Sequence, residues 1–196
     1  MFLRKYYKGV NKCDSMIIGL TGSIGSGKTA IAKMFSGYKV VDADKIGHGL
    51  LNKKEIKSKI IKEFKTINRK KLSLIVFNNK SKLKKLNKIM WPLITREIKS
   101  IIKNNKKKNV VIDAAVLIES GWDKLVDKVV VVKVSRKNQI KRLIKSKKYD
   151  IKLINKIIKL QLSQEKRLKY ADYVIDNNKS LKNIEKQIIK ITINTK

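Results

Sequence analysis

The feature that most constrains this sequence is a glycine-rich loop, TGSIGSGKT at 21–29, which lies between an apolar run and a helix-like segment. The run MIIGL at 16–20 has the unbroken apolar character of a buried parallel strand, and 28–36 has a helical pattern that Gly37 ends. Glycines let a backbone wrap closely around phosphate oxygens, and the N–H groups of the loop and of the helix N-terminus attract negative charge. The segment therefore predicts a strand–loop–helix unit that binds phosphate groups.

Four residues of this loop, Gly22, Gly27, Lys28 and Thr29, fit the pattern G-x-x-x-x-G-K-[ST]. In such a loop the lysine reaches the β- and γ-phosphates and the hydroxyl group binds Mg²⁺. The loop alone does not distinguish switches, motors and kinases. A guanine-reading N-K-x-D motif is not found, because NKIM at 87–90 lacks the aspartate. The short chain therefore favours a small-molecule kinase.

The remaining sequence alternates short apolar segments with helical patterns. Five segments are predicted to be strands: 16–20, 39–44, 109–115, 128–134 and 171–177. Short apolar strands separated by helices are typical of a parallel sheet covered on both faces. The predicted fold is therefore α/β, a P-loop NTPase-type three-layer sandwich with a five-stranded parallel sheet.

A long, lysine-rich helical region separates the second strand from the third. Within it, apolar residues recur at steps of three and four over 83–102, which predicts one apolar helix face. Pro92 lies inside this stretch, so we expect a break or a kink there.

Two aspartates, Asp42 and Asp44, end the second predicted strand. Residues two apart on an extended segment face the same side, and ligands of open α/β sheets bind at the carboxyl ends of the strands. One carboxylate could accept a proton from an acceptor hydroxyl, and the other could orient it or hold a metal-bound water. Alternatively, Asp42 or Asp44 caps the following helix. His48, the only histidine, follows about one turn later, and its residue type favours a structural role.

The formal net charge is +34, which taken alone would indicate a nucleic-acid partner. Only 6 of the 49 basic residues are arginine, and lysine, isoleucine and asparagine, all with A/T-rich codons, make up 87 of 196 residues. The charge is spread along the chain, and no aromatic residues alternate with arginine as stacking platforms would require. We therefore attribute the charge to composition and expect no specific nucleic-acid partner, only salt-sensitive binding to polyanions.

The sequence also favours a cytoplasmic location. Cys13 is the only cysteine, so no disulfide can form within the chain, and no apolar run approaches the ~20 residues of a membrane span. The first residues lack the apolar core of a signal peptide. We expect 1–15 to be an N-terminal extension, with Met16 as the native start, and 16–196 to be a single kinase domain.

From 16 to about 190 the chain resembles the dephospho-CoA kinase family, which carries out the last step of coenzyme A synthesis. The resembling segments, in chain order, are GLTGSIGSGKTAIA, VVDADKIGH, INRKKLSLIVF, LKKLNKIMWPLI, VVIDAAVLIESGW, NQIKRL and LQLSQEKRLKYADYVIDN. One such segment alone is weak evidence for the family, but the whole set in this order is specific evidence for it.

The resemblance implies an ATP- and Mg²⁺-dependent kinase, expected to be a monomer, that phosphorylates the ribose 3′-hydroxyl of dephospho-CoA. Asp44 would be the general base, with Lys28 and Arg142 as further catalytic residues, and Thr29 would bind the metal. Asp42 and Arg69 would join Asp44 in binding the acceptor. A helical insertion over 50–105 would shape the CoA pocket, and 137–168 would form a lid. The residues expected to bind ATP are Gly22, Ser23, Ile24, Gly25, Ser26, Gly27, Lys28, Thr29, Ala30 and Arg167.

The chain departs from the family pattern at several positions. The substituted positions are Ser23 for a glycine, Trp91 for a histidine, Ala115 for a proline, and Ser146 and Gln164 for arginines. Lysines near the lid can supply charge but not the two-pronged hydrogen bonding of arginine.

Two alternatives to a dephospho-CoA kinase stay open. They are another small P-loop kinase, such as one for shikimate or gluconate, and a polyanion-binding protein.

Overall fold

The computed structural model describes residues 15–146 and 150–193. The predicted extension lies almost wholly outside the described residues, as does Cys13. Within the described ranges the chain forms one twisted parallel sheet with helices on both faces. The strands are β1 Ile17–Thr21, β2 Lys39–Asp42, β3 Val110–Asp113, β4 Lys128–Lys133 and β5 Tyr173–Asp176.

The five strands pair in the order β2-β3-β1-β4-β5, all parallel. The central strands are continuous runs of valine, isoleucine and leucine because both of their faces are covered. The predicted fold class and the five predicted strands are confirmed. The second strand is shorter than predicted, because its chain turns into a helix directly after Asp42.

The helices divide between the two faces of the sheet. They are α1 Lys28–Ala32, α2 Ala43–Leu50, α3 Lys54–Phe64, α4 Arg69–Phe77, α5 Lys80–Lys103, α6 Arg136–Lys145, α7 Ile151–Leu160, α8 Gln164–Leu168 and α9 Leu181–Ile193. Apolar side chains of α1 and α9 pack on one face, and those of α2 to α5 pack on the other. The sheet thus forms the middle layer, and its carboxyl edge carries the phosphate loop.

The long helix α5 runs through Pro92 from Lys80 to Lys103, so a break at this proline is wrong, and a kink there stays a prediction. A proline removes one hydrogen bond of the helical ladder, but burial of neighbouring turns can outweigh that loss. Met90 and Ile94, on either side of the proline, are both 7% exposed and belong to the core.

Candidate active site

The phosphate loop lies between β1 and α1, as predicted, and it contacts Asn177 and Arg142 from later in the chain. Gly27 has φ 85°, and a Cβ added to it would collide with the side-chain amide of Asn177. That amide donates to the carbonyl of Ser26 at 2.6 Å, and Nη1 of Arg142 donates to the same oxygen at 3.2 Å. Glycine at 27 is therefore needed both for its backbone conformation and for close packing.

Lys28 forms an ion pair with Asp113, the last residue of β3. The two side chains are 9% and 1% exposed, so the pair is shielded from water. Within the described part of the chain, Oδ2 of Asp113 is buried with no hydrogen-bond partner. A buried carboxylate with an unused oxygen beside a phosphate loop is suited to receive a cation or an ordered water.

Asp113 was missed at the sequence level, although a signal for it exists. It ends a predicted strand in the segment NVVIDAA, as Asp42 does one strand away. In the sheet, Asp113 aligns with Asp42 on one side and with Leu20 of β1 on the other. An aspartate that ends a strand next to the phosphate-loop strand is therefore a sequence signal for a site residue.

Asp42 and Asp44 do not share one extended face, so the reasoning from strand alternation is wrong. Asp42 is the N-cap of α2 and accepts a hydrogen bond from the N–H of Lys45 at 2.9 Å. Its short side chain stops the strand and starts the helix, which is the capping alternative. Asp44 instead lies in the first helical turn, where a carboxylate is favoured by the helix dipole.

The carboxyl group of Asp44 has a pKa raised above its usual range. Burial is the main cause, and the charges of Asp42 and Asp113 also raise the pKa, whereas Lys28 and His48 lower it. Part of the residue is exposed to solvent, whereas the protein around its carboxyl group limits the hydration of the carboxylate. Asp44 thus combines an accessible carboxylate with increased basicity.

A cleft of about 320 Å³ opens beside the carboxyl ends of β2 and β3, and Thr29, Asp42 and Asp113 line it. On the other side of α2, a second pocket of about 380 Å³ is lined by residues of α2, α3 and the start of α4. There Nη2 of Arg69 lies 2.7 Å from Nε2 of His48. Asp44 and His48 are four residues apart on α2, so the base candidate and this basic pocket share one helix face.

A family model of dephospho-CoA kinases matches residues 16–183 of the chain. The chain belongs to the dephospho-CoA kinase family. A dephospho-CoA kinase of Fusobacterium nucleatum is 43% identical over 183 residues, which are 88% of this chain and 95% of that relative. One from Clostridium tetani is 34% identical and aligns with 97% of this chain and 90% of its own length.

Solved structures share the fold, and one of them is a dephospho-CoA kinase. The chain is similar to the dephospho-CoA kinase of Campylobacter jejuni, with a TM-score of 0.64, 28% identity, and coverage of 91% of this chain and 96% of that one. A Thermus thermophilus protein at 21% identity has a TM-score of 0.80 and covers 92% of this chain and 97% of its own. A shikimate kinase of Acinetobacter baumannii, at 16% identity and a TM-score of 0.58, shares the fold alone.

Membership of the dephospho-CoA kinase family confirms the resemblance and the predicted kinase class, and does not favour the shikimate-type alternative.

In 15–146 and 150–193, no group of three or more histidine, cysteine or acidic side chains is arranged to hold a metal ion. Across the same residues no helix has both the length and the apolar character to cross a bilayer.

The two arginines expected over the phosphates occupy different surroundings. Arg142 on α6 lies against the loop and donates to the carbonyls of Ser26 and Asn177 at 3.2 and 2.8 Å. Arg167 is 1% exposed and donates to Ala115 and Glu119 at 3.3 and 3.2 Å. Burial lowers the pKa of Arg167, while the charge and hydrogen bond of Glu119 raise it. For Arg167, a contact with ATP requires this pair to open, and the contact stays a prediction.

The substituted family positions have defined partners in the fold. Trp91 packs against the core beside α2, and its carbonyl accepts from Thr95 at 2.7 Å. The side chain of Gln164 accepts a hydrogen bond from the N–H of Val134 at 3.0 Å. Ala115 offers its carbonyl to Arg167. These substitutions therefore fit the packed structure.

Proposed function

We propose that this chain transfers the γ-phosphoryl group of ATP to the ribose 3′-hydroxyl of dephospho-CoA, giving coenzyme A and ADP. The observation that carries the proposal is the meeting of Lys28, Asp113 and Asp44 beside the phosphate loop, in a chain of the dephospho-CoA kinase family. Positive charge for the donor and a basic carboxylate for the acceptor thus lie together at the carboxyl edge of the sheet.

On the donor side, ATP lies along the loop from Gly22 to Ala30. The N–H groups of 25–29 face the phosphate oxygens, and the ammonium group of Lys28 moves from Asp113 to the β- and γ-phosphates. The ion pair in the structure keeps this ammonium buried and oriented until the phosphates arrive. Arg142, which already contacts the loop, adds positive charge at the same place.

On the acceptor side, Asp44 takes the proton of the 3′-hydroxyl as its oxygen attacks phosphorus. The bond from phosphorus to the β–γ bridging oxygen breaks, the bond to the 3′-oxygen forms, and ADP leaves. The raised pKa of Asp44 supports this role, because a more basic carboxylate is the better proton acceptor.

The residues present fit a magnesium ion. Thr29, Asp42 and Asp113 line one cleft, and the buried Oδ2 of Asp113 has no partner in the described structure. Magnesium bound to ATP needs only one or two protein oxygens, since phosphates and water supply the rest. Thr29 would hold the ion, and the carboxylates of Asp42 and Asp113 would add negative charge beside it. When bound, Mg²⁺ neutralises charge on the phosphates of ATP.

The acceptor's diphosphate fits the basic pocket lined by His48, Lys57 and Arg69. Arg69 starts α4, whose N-cap is Asn68, so the guanidinium is held at a fixed point of the helical region. We assign 50–105 as the acceptor-binding insertion and 137–168 as the lid of a single domain over 16–196. Residues 147–149 of this lid lie outside the described residues. We further propose a monomer acting in the cytoplasm.

Incubation of the purified protein with ATP, Mg²⁺ and dephospho-CoA tests the proposal. Coenzyme A and ADP should form in equal amounts, and shikimate or gluconate should give no product. Turnover of one of those two acceptors in place of dephospho-CoA, or no turnover by folded protein that binds ATP, would contradict it.

A further inference from the structure

A buried glutamine of α6 holds the tip of the phosphate loop. The side chain of Gln139, 5% exposed, donates through Nε2 to the carbonyl of Ile24 at 2.7 Å and to the hydroxyl of Ser23 at 3.0 Å. Its Oε1 accepts from Nη1 of Arg136 at 3.4 Å. Both hydrogens of the amide group and its oxygen therefore have partners, which allows only one orientation of the buried group.

This arrangement suits the way such a loop works. A loop that turns its N–H groups toward phosphates turns carbonyls outward, and buried carbonyls need donors. The carbonyl of Ser26 receives them from Asn177 and Arg142, and the carbonyl of Ile24 receives its donor from Gln139.

The peptide N–H of Ile24 is also fixed from the lid. It donates at 2.9 Å to Oε1 of Gln161, which ends α7. Residue 24 is thus held through its N–H and its carbonyl by two glutamines from different helices.

Packing joins α6 to the loop just as closely. Gly25 has φ 77°, and a Cβ added there would lie 2.7 Å from Cγ of Leu143. Leu143 follows Gln139 by one helical turn, so both side chains face the loop from the same helix. A displacement of α6 must therefore move the loop, or break these contacts.

A hydrogen bond gives a structural reason for serine at position 23, where the family usually has glycine. Its hydroxyl accepts the second hydrogen of the Gln139 amide, which would lose this partner if residue 23 were glycine. An unpaired donor on a buried amide is unfavourable. The substitution therefore adds a hydrogen bond between loop and lid.

We infer that Gln139 is a positioning residue for ATP binding, with Ser23 as its partner. Together they hold the peptides around Ile24 so that the N–H groups of 25–29 keep facing the phosphates; neither side chain needs to touch ATP. The inference rests on one part of the proposed function, namely that the loop binds ATP.

The test is equilibrium binding of ATP, measured by calorimetry, to the wild type, Ser23→Ala, Gln139→Ala and the double variant. Gln139→Ala leaves the carbonyl of Ile24 without a donor, and we expect about tenfold weaker binding. Ser23→Ala should weaken binding about threefold. Since one hydrogen bond joins the two side chains, the double variant should bind about as well as Gln139→Ala alone.

The matched control is Gln187→Ala, because the side chain of Gln187 also holds a backbone group, the N–H of Asp176, but lies on α9. It should lower stability and leave ATP affinity within about twofold. In turnover, Gln139→Ala should raise KM for ATP, with kcat and KM for dephospho-CoA nearly unchanged, a split that general destabilisation does not give.

Ser23→Ala keeps the Cβ of a half-buried residue, so it reports on the inference even if Gln139→Ala fails to fold. Unchanged ATP affinity in Ser23→Ala, or a double variant about thirtyfold weaker than wild type, would overturn the inference. A wild-type protein that binds ATP but forms no coenzyme A would contradict the proposed function and leave this comparison intact.

Discussion

The buried ion pair between Lys28 and Asp113 makes the most detailed prediction, because it links stability to ATP binding. Asp113→Asn removes the negative charge and leaves the Lys28 ammonium buried without its partner. Breaking a buried pair in this way costs about 3–5 kcal/mol. Asparagine keeps one oxygen for a hydrogen bond, so we expect the lower end, about 3 kcal/mol, or a Tm lower by about 6–12 °C.

ATP should reverse much of this loss, because its phosphates supply the charge that Asp113 no longer provides. With EDTA present to exclude metal ions, Asp113→Asn should bind ATP more tightly than the wild type, since Lys28 need not leave a partner. The measurements are urea unfolding with and without ATP, and calorimetric titration of ATP into each protein in EDTA.

The matched control is Glu97→Gln, which breaks the exposed pair between Lys53 and Glu97. Those side chains are 60% and 40% exposed, so the free energy of unfolding should change by less than about 1 kcal/mol. An unchanged stability of Asp113→Asn, or an equal deficit with and without ATP, would refute the reasoning.

Three further predictions concern the acceptor side. Asp44→Asn should lower kcat at least ~100-fold with ATP affinity kept, because the proton acceptor is lost; near-normal kcat would exclude Asp44 as the base. Because the pKa of Asp44 is raised in the folded, ligand-free protein, kcat/KM for dephospho-CoA should fall as pH drops through that raised value. The acidic limb should vanish from the residual activity of Asp44→Asn, and its persistence there would assign it to another group. Arg69→Ala should raise KM for dephospho-CoA about tenfold or more and leave KM for ATP unchanged. The control Arg96→Ala, in α5, should change neither KM. An equal rise of KM for both substrates in Arg69→Ala would contradict the acceptor assignment.

The sheet and the phosphate loop were predictable because their signals are local. Continuous apolar runs marked the strands, and the spacing of Gly22, Gly27, Lys28 and Thr29 marked the loop. Parallel pairing at the sheet centre requires apolar residues on both faces, which leaves few other arrangements for such runs.

The differences between the predicted and the observed structure have local causes as well as distant ones. The sequence predicts a second strand that extends to Asp44, but a hydrogen bond from the N–H of Lys45 to the side chain of Asp42 starts the helix, and the strand ends two residues earlier. The helix around Pro92 continues because burial of its neighbours favours it. Pairing of Lys28 with Asp113 joins residues 85 positions apart, and no local pattern reports such a partner.

The roles of the arginines show the same limit. The motifs assign Arg142 and Arg167 to phosphates, and this stays a prediction; the structure shows Arg167 buried beside Glu119. Sequence spacing places a side chain on an element, and only packing determines which way a long, flexible side chain points.

The most direct test of the central claim compares dephospho-CoA with its 3′-deoxy analogue, with the products identified by mass spectrometry and phosphorus NMR. The account predicts one coenzyme A per ADP from dephospho-CoA, phosphorylated at the 3′-oxygen, and no phosphorylated product from the analogue. Phosphorylation of the analogue, or ADP release without phosphorylation of dephospho-CoA, would contradict it.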